Sequence, residues 1–296
     1  MRLPSWIAQH LAALRVLLVL TVLTGLLYPF AILAVAQIPG LKGRADGSLV
    51  KVGGTTVGSS LIGQLFTDSD GNALVQYFQS RPSAAGDGYD PTVTSASNLG
   101  PESVVDTLPD PSVKDDTGKQ SLLTQVCARS VAVGTLEGVS GARPYCTPGG
   151  VGAVLGVFYR DGSTGPATRV VSLNEACPAT PFVASYQGVK VECAKFGEDY
   201  SKAVVTPIRG DAPAEPAVPS DAVTASGSGL DPAISIAYAR LQAPRIAKAR
   251  GTDLANIEKL IDQHTTGRAL GFLGQPAVGV LPLNIALDRQ YPYHKS

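Results

Sequence analysis

The residues best suited to chemistry lie around a glycine-rich loop, Ser226-Gly227-Ser228-Gly229, which Asp231 and Pro232 follow. The sequence predicts that Asp231 caps a helix with Pro232 in its first turn, because these residue types favour those positions. Backbone amides before a helix can hold an anion, and Arg245 or Arg268 could then contact a phosphate. Because the loop contains no lysine, we interpret it as a structural or interface turn, with anion or nucleotide binding as the alternative.

The same residues could also supply a hydrolase triad made of Ser226 or Ser228, His264 and Asp231. The G-x-S-x-G elbow that would expose such a serine is missing, because Ala225 stands where its first glycine should be. His264 lies at a predicted helix end, where a histidine more often binds the backbone. The sequence therefore predicts no catalytic residue.

Four cysteines lie within one stretch of the chain, and an even number is typical of disulfides formed in an oxidising exterior. They are Cys127, Cys146, Cys177 and Cys193. Three pairings are possible, and we predict Cys127 with Cys146 and Cys177 with Cys193, because each pair closes a short loop. No C-x-x-C pair occurs, so no metal site is predicted; zinc binding and free buried thiols are the alternatives.

The elements that must position these residues begin with a charge-free apolar run from Val16 to Ala36. At a rise of about 1.5 Å per residue, this run can cross a hydrocarbon core of about 30 Å once. Thr21 and Gly25 share one face on which another helix could pack, and Pro29 should kink the helix. The alternative is a cleaved signal peptide ending at Ala34-Val35-Ala36, although the run is longer than a signal's apolar region.

Composition narrows the function classes further. The 24 basic and 24 acidic residues balance, which argues against a nucleic-acid partner. The 32 glycines and 22 prolines indicate a loop-rich domain rather than a helical bundle. Basic residues flank the apolar run on both sides, so flanking charge sets no orientation.

Two kinds of pattern follow the apolar run. Short apolar alternations from residue 48 to about 103 predict short strands and turns. From residue 104 to 201 the runs Val151–Tyr159 and Thr168–Leu173 favour strands. We therefore predict a small β-rich insert there.

Beyond a proline-punctuated linker, two helices are predicted. The first runs from residue 232 to Gly251, with a kink or break at Pro244, and the second begins near Thr252 or Asp253. The apolar tail from residue 277 to 287 is predicted to form one strand, or two strands broken at Pro282.

Seven short segments occur in the order and wording of one protein family: Gly58–Gln64, Tyr77–Ala84, Ser97–Pro101, Val223–Pro232, Gln263–Arg268, Gly271–Gly274 and Leu283–Asp288. Together with the single span, they resemble the C chain of the Kdp-type potassium-transporting ATPase, the KdpC family. The resemblance covers roughly residues 15–103 and 204–288 and leaves the cysteine-bearing stretch outside.

The sequence departs from the family pattern at four positions. Ala233 replaces a histidine common after L-D-P, and Gln275 and Ala277 stand in a segment usually written G-E-P-R-V. Pro244 interrupts a helix that normally lacks proline. Roles of the missing histidine or arginine therefore do not carry over to this chain.

The resemblance implies an α+β chain with one transmembrane helix and one extracytoplasmic domain. It places a cytoplasmic amino terminus at residues 1–15, the transmembrane helix at 16–36, and a mixed α/β domain at 37–103 and 202–296. The β-rich insert subdomain occupies residues 104–201. The insert's function is not implied by the family.

The resemblance also implies a non-catalytic accessory subunit of an ATP-driven, high-affinity potassium importer in the cell membrane. Its partners would be a channel-like potassium-translocating subunit and a P-type ATPase subunit, with no nucleic acid. Asp115–Lys119 only superficially resembles the D-K-T-G-T phosphorylation motif of such pumps, because the lysine after the first aspartate is absent.

The family is also described as a catalytic chaperone that raises the ATP affinity of the ATPase subunit. The chain is expected to hold no cofactor of its own, with ATP bound mainly by that partner. Because ATP is cytoplasmic and a span of about 30 Å intervenes, coupling through the helix is physically easier than direct contact. The alternative function is a membrane-anchored extracytoplasmic binding module without a pump partner.

Overall fold

The computed structural model describes residues 4–95 and 99–294, so Ser97 and Asn98 of the third family-like segment lie outside the described residues. The chain divides into two compact units, residues 1–61 and residues 62–296, and each is described by itself. The first contains an apolar helix and a hairpin, and the second combines helices with two sheets. The predicted α+β class is confirmed.

One helix in the described chain is long and apolar enough to cross a membrane, and it runs from Ser5 to Ala36. It consists of α1 at Ser5–Val22, a π-helical turn at Leu23–Leu27, and α2 at Tyr28–Ala36. Pro29 lies two residues after the end of the π-helical turn. Because proline has no N–H, a local change of helical register there is expected. The helix begins before the charge-free run and includes Arg15.

A short helix and a hairpin complete the first unit. Helix α3 spans Lys42–Ala45, and β1 at Leu49–Val52 pairs antiparallel with β2 at Thr55–Ser59. Gly53 and Gly54 join the two strands with φ of 58° and 85°. Glycine suits both positions because a tight hairpin turn requires positive φ there. The prediction of short strands and turns from residue 48 to about 103 is confirmed at residues 49–59. The described residues from 60 to 103 contain turns and one isolated bridge, between Thr67 and Ala73, but no strand.

A five-stranded sheet forms the centre of the predicted insert, but its last strand, at Val204–Pro207, lies beyond the predicted boundary at residue 201. Its order is β5-β6-β4-β3-β7, with β4 and β6 parallel and the other neighbours antiparallel. Both faces bury apolar side chains, Val154 and Val171 on one side and Leu155 and Val170 on the other. The strands are β3 at Val154–Tyr159, β4 at Ala167–Ala176, β5 at Ser185–Tyr186, β6 at Val189–Ala194 and β7 at Val204–Pro207.

The insert also contains a helix that sequence reasoning missed, α4 at Leu122–Glu137. Its end signals are present in the sequence: Ser121 Oγ accepts a hydrogen bond from Thr124 N–H, and Gly138 ends the helix with φ of 69°. The prediction of a β-rich insert did not include this helix. The β-branched and small residues of the segment obscured its helical period.

Both cysteine pairs that the sequence predicts occur as disulfides in the structure. Cys127 in α4 is joined to Cys146 with a Cα–Cα distance of 5.4 Å. Cys177 is joined to Cys193 with a Cα–Cα distance of 5.1 Å. Each bridge closes a short loop and should stabilise the insert by about 3 kcal/mol in the chain-entropy treatment.

The carboxyl-terminal part packs three helices with a small antiparallel sheet of order β8-β10-β9. Gly251 ends α5 with φ of 62°, and Asp253 precedes α6, both as predicted. The elements are β8 at Ala233–Ile234, α5 at Ile236–Arg250, α6 at Leu254–Gln263, β9 at Thr265–Thr266, β10 at Ala277–Gly279 and α7 at Val280–Gln290.

Two predictions about these elements were wrong. Helix α5 begins at Ile236 with Ser235 as its cap, because the preceding residues join the small sheet as β8; Asp231 is not the cap. The tail is mostly helical, and Pro282 lies in the first turn of α7, where a missing N–H costs no helical bond. Pro244 lies inside α5, which continues past it to Arg250 without a break.

Candidate functional site

The glycine-rich loop is a turn held by its own side chains. Ser226 Oγ accepts a hydrogen bond from Gly229 N–H at 2.9 Å, and Ser228 Oγ accepts one from Leu230 N–H at 3.1 Å. Gly229 has φ of 73°, and a Cβ there would lie 2.9 Å from Ala85 N and 2.9 Å from Ser95 O. The turn therefore packs closely on the segment that contains Ala85 and Ser95, and glycine is required for this approach.

A cation that sequence reasoning did not identify as a site residue, Arg81, pairs with Asp231 beyond the loop's end. Its Nη1 lies 3.0 Å from Asp231 Oδ2, and its Nε and Nη2 donate to Thr224 O. Tyr89 Oη donates to Arg81 O, and burial raises the pKa of Tyr89 to about 12. Asp231 thus contributes to a structural ion pair, and no α-helix begins at the loop to attract an anion.

Among the described residues, the other proposed site residues form no hydrogen bond or ion pair with the loop. His264 follows the last residue of α6, and its Nδ1 lies 2.8 Å from Leu260 O. Within the described chain, no hydrogen bond joins His264 to Ser226, Ser228 or Asp231. Arg268 is exposed in the turn after β9. The described residues likewise include no cluster of three or more His, Cys, Asp or Glu side chains suited to a metal.

Two buried amide side chains join segments that are far apart in sequence. Asn284 Oδ1 accepts from Phe78 N–H at 2.9 Å, and its Nδ2 donates to Phe78 O at 3.0 Å. Gln242 Oε1 accepts from Gln79 N–H at 2.7 Å, and its Nε2 donates to Gln79 O at 3.2 Å. Each amide therefore satisfies both backbone groups of one residue, as a neighbouring strand would.

A buried ion pair connects α5 to α4. Arg245 Nε lies 3.0 Å from Glu137 Oε2, and the two side chains are 9% and 0% exposed. Arg245 also donates to Val75 O, Tyr77 O and Gln242 Oε1. Burial raises the pKa of Glu137, against the opposing hydrogen bond and charge of Arg245. The insert helix is thus tied to the family-like helix, and Arg245 does not contact the glycine-rich loop.

The membrane-type helix presents a face of small side chains at Thr21 and Gly25. A Cβ on Gly25 would meet only Thr21 Cγ2, at 3.9 Å. No residue of the helix is buried. This face is therefore open to a second helix, which small residues would allow to approach closely.

A tight apolar turn lies between β9 and β10. Ala269 N–H donates to Leu273 O and Leu273 N–H donates to Ala269 O, both at 2.9 Å. Leu270, Phe272 and Leu273 are 83%, 68% and 50% exposed. Leu270 has φ of 53°, an unfavourable conformation for a residue with a Cβ. Residues 271–273 of the predicted family-like segment Gly271–Gly274 belong to this turn.

Comparison with known proteins gives one consistent family. A sequence model of the family described as KdpC: K+-transporting ATPase, c chain matches residues 10–108 and 193–289, and the unmatched stretch between them agrees with the predicted insert. The potassium-transporting ATPase KdpC subunit of Mycobacterium tuberculosis (strain ATCC 25618 / H37Rv) is 35% identical over 281 residues, covering 95% of this chain and 98% of the relative. That of Kineococcus radiotolerans is 35% identical over 290 residues, covering 98% of each chain.

Proposed function

The chain belongs to the K+-transporting ATPase c chain family, and on this premise we propose that it is a non-catalytic accessory subunit that stabilises an ATP-driven, high-affinity potassium importer. The observation that carries the proposal is that both matched segments meet in one buried network. Phe78 and Gln79 come from the first segment, and Gln242 and Asn284 come from the second. The family domain is therefore assembled across the insert.

The proposed partners are a channel-like potassium-translocating subunit and a P-type ATPase subunit. The open face at Thr21 and Gly25 supports a contact with a partner helix inside the membrane. The second unit would supply another contact outside it. Two linked contacts reinforce one another, because the second forms at high effective concentration once the first exists.

We further propose that the chain raises the ATP affinity of the ATPase subunit. In this proposal the chain holds no nucleotide, and ATP is bound by the partner. The serine hydroxyls of the glycine-rich loop accept hydrogen bonds from the backbone N–H groups of Gly229 and Leu230, which supports a structural role there. Since ATP is cytoplasmic, the effect would be transmitted through the membrane helix.

We expect the amino terminus to lie inside and the second unit outside the cell, and the cysteines test this orientation. Non-reducing peptide mapping of the chain from native membranes, alkylated at lysis, should recover Cys127 linked to Cys146 and Cys177 linked to Cys193. An oxidising exterior is the reason to expect both bridges. Four alkylated thiols would contradict both the pairing and the outside location.

Mild-detergent purification of the tagged chain from potassium-starved cells tests the assembly role. The two partner subunits should copurify, with potassium-stimulated ATPase activity. Gly25→Leu should lower their recovery about fivefold to thirtyfold, because loss of a close helix contact costs about 1–2 kcal/mol.

The matched control is Ala31→Leu, which adds similar bulk away from the row of Thr21 and Gly25 and should leave recovery unchanged. Recovery of the chain alone, with normal potassium-limited growth after its deletion, would refute the pump assignment. A membrane-anchored binding module would then remain. Intact assembly with Gly25→Leu would confine the interface to the second unit.

A further inference from the structure

The turn at residues 269–273, here called the apolar turn, is built to expose its side chains. Two backbone hydrogen bonds close it, and Leu270 and Gly271 take φ of 53° and 80°. Leu270 and Phe272 are the most exposed large apolar side chains of the second unit, at 83% and 68%. A leucine in the left-handed region is held there at a cost, which marks the turn as a candidate contact site.

The charged residues around the apolar turn suit contact with a lipid bilayer surface. From His264 to Leu281 the sequence contains no carboxylate, and Arg268 is the permanently charged residue. The side chain of Arg268 is exposed and makes no ion pair with any described residue. Apolar side chains beside an unpaired cation match the acyl boundary of a bilayer beneath its phosphate groups.

The membrane-type helix of the same chain indicates that a lipid bilayer is the apolar environment available to the apolar turn. The helix from Ser5 to Ala36 is long and apolar enough to hold the protein in a bilayer. Tethering raises the effective concentration of that bilayer for every exposed apolar group of the second unit. A narrow turn whose apolar side chains are each exposed offers little surface for a shape-matched protein contact, whereas lipid conforms to any shape.

We propose that the apolar turn inserts Leu270, Phe272 and Leu273 into the interface of the membrane that holds the span, with Arg268 at the lipid phosphates. This contact gives the second unit a membrane attachment besides the helix. It does not depend on a pump partner, so it can stand or fail independently of the proposed function.

The test uses the full chain alone in nanodiscs of phosphatidylcholine and phosphatidylglycerol. An environment-sensitive fluorophore on Leu270→Cys, in the otherwise disulfide-bonded chain, should shift its emission to shorter wavelength. Phosphatidylcholine with a nitroxide on its acyl chain should quench this emission at least twofold, because the probe lies in the acyl boundary. Aqueous iodide should quench it weakly.

The matched control is the same fluorophore on Phe196→Cys, since Phe196 is also an exposed large apolar residue, at 48%, but lies after β6 in the insert. This probe should respond to iodide and not to the lipid nitroxide. Equal iodide quenching at both positions, without lipid quenching at Leu270→Cys, would overturn the proposal. Protection of Leu270→Cys that appears only after pump subunits are added would also overturn it and would assign the turn to a protein contact.

Discussion

Arg245→Ala is expected to lower the free energy of unfolding of the second unit by about 3–5 kcal/mol, one of the two largest effects we predict. The substitution leaves Glu137 without a cation although the Glu137 side chain is 0% exposed. It also removes the donors to Val75 O and Tyr77 O. Guanidinium denaturation of the full chain in detergent, followed by circular dichroism, measures the loss.

A second substitution separates the buried charge from lost packing. In the double variant Arg245→Ala, Glu137→Gln, neither position of the pair carries a charge. At least half of the lost stability should therefore return. The control for helix position is Arg240→Ala on the same helix, whose pair with Asp262 is 57% and 65% exposed. Such an exposed pair contributes about 1 kcal/mol or less. A loss at Arg245→Ala no larger than that at Arg240→Ala would contradict the prediction.

The loss at Arg245→Ala should also depend on pH. Burial raises the pKa of Glu137 above its ordinary value in the folded chain, and removal of Arg245 raises it further. A carboxyl whose pKa is higher in the folded state stabilises the fold below its unfolded pKa, and this contribution disappears as pH rises through the folded pKa. The deficit of the variant should therefore be smaller at about pH 4 than at about pH 7.

Asn284→Leu is expected to destabilise the second unit by about 2–5 kcal/mol. Leucine has a similar volume but leaves both the N–H and the C=O of buried Phe78 without their partner. Each unsatisfied buried backbone group costs about 1–3 kcal/mol. The same denaturation experiment measures this effect. The rate of trypsin cleavage provides an independent readout, because the less stable variant should be cleaved faster.

The matched control is Asn256→Leu, an identical change at an exposed position of α6. Surface changes of this kind usually stay within about 0.5 kcal/mol. If Asn284→Leu behaved like this control, the amide of Asn284 would not hold the two family segments together. The buried contact between the two family segments, on which the proposed function rests, would then lack energetic support.

Several features could be predicted from local sequence because the physical signal is itself local. A long charge-free run specifies a membrane-type helix whatever else the chain does. Gly251 and Asp253 mark helix ends through their own backbone and side-chain preferences. Short loops between cysteines indicate the two pairings that the structure also has.

Other features required the tertiary structure, because the deciding partner is distant in sequence. The tail at residues 277–287 reads as one or two strands by itself, since a short apolar run fits either state. In the structure only residues 277–279 form a strand, and residues 280–290 become α7, which packs against α6. Asp231 reads as a helix cap until β8 pairs with β10 and moves the helix start to Ile236.

The features of the candidate site also divide into those that the sequence determines and those that require the tertiary structure. By itself, the sequence determined the family, the single apolar helix and the absence of a recognisable catalytic motif, because these depend on residue type and order. Only the tertiary structure decided that Arg81 pairs with Asp231 and that Asn284 serves the backbone of Phe78, 206 residues away. Such partners are selected by burial, since a buried polar group must be satisfied by whatever the fold brings to it.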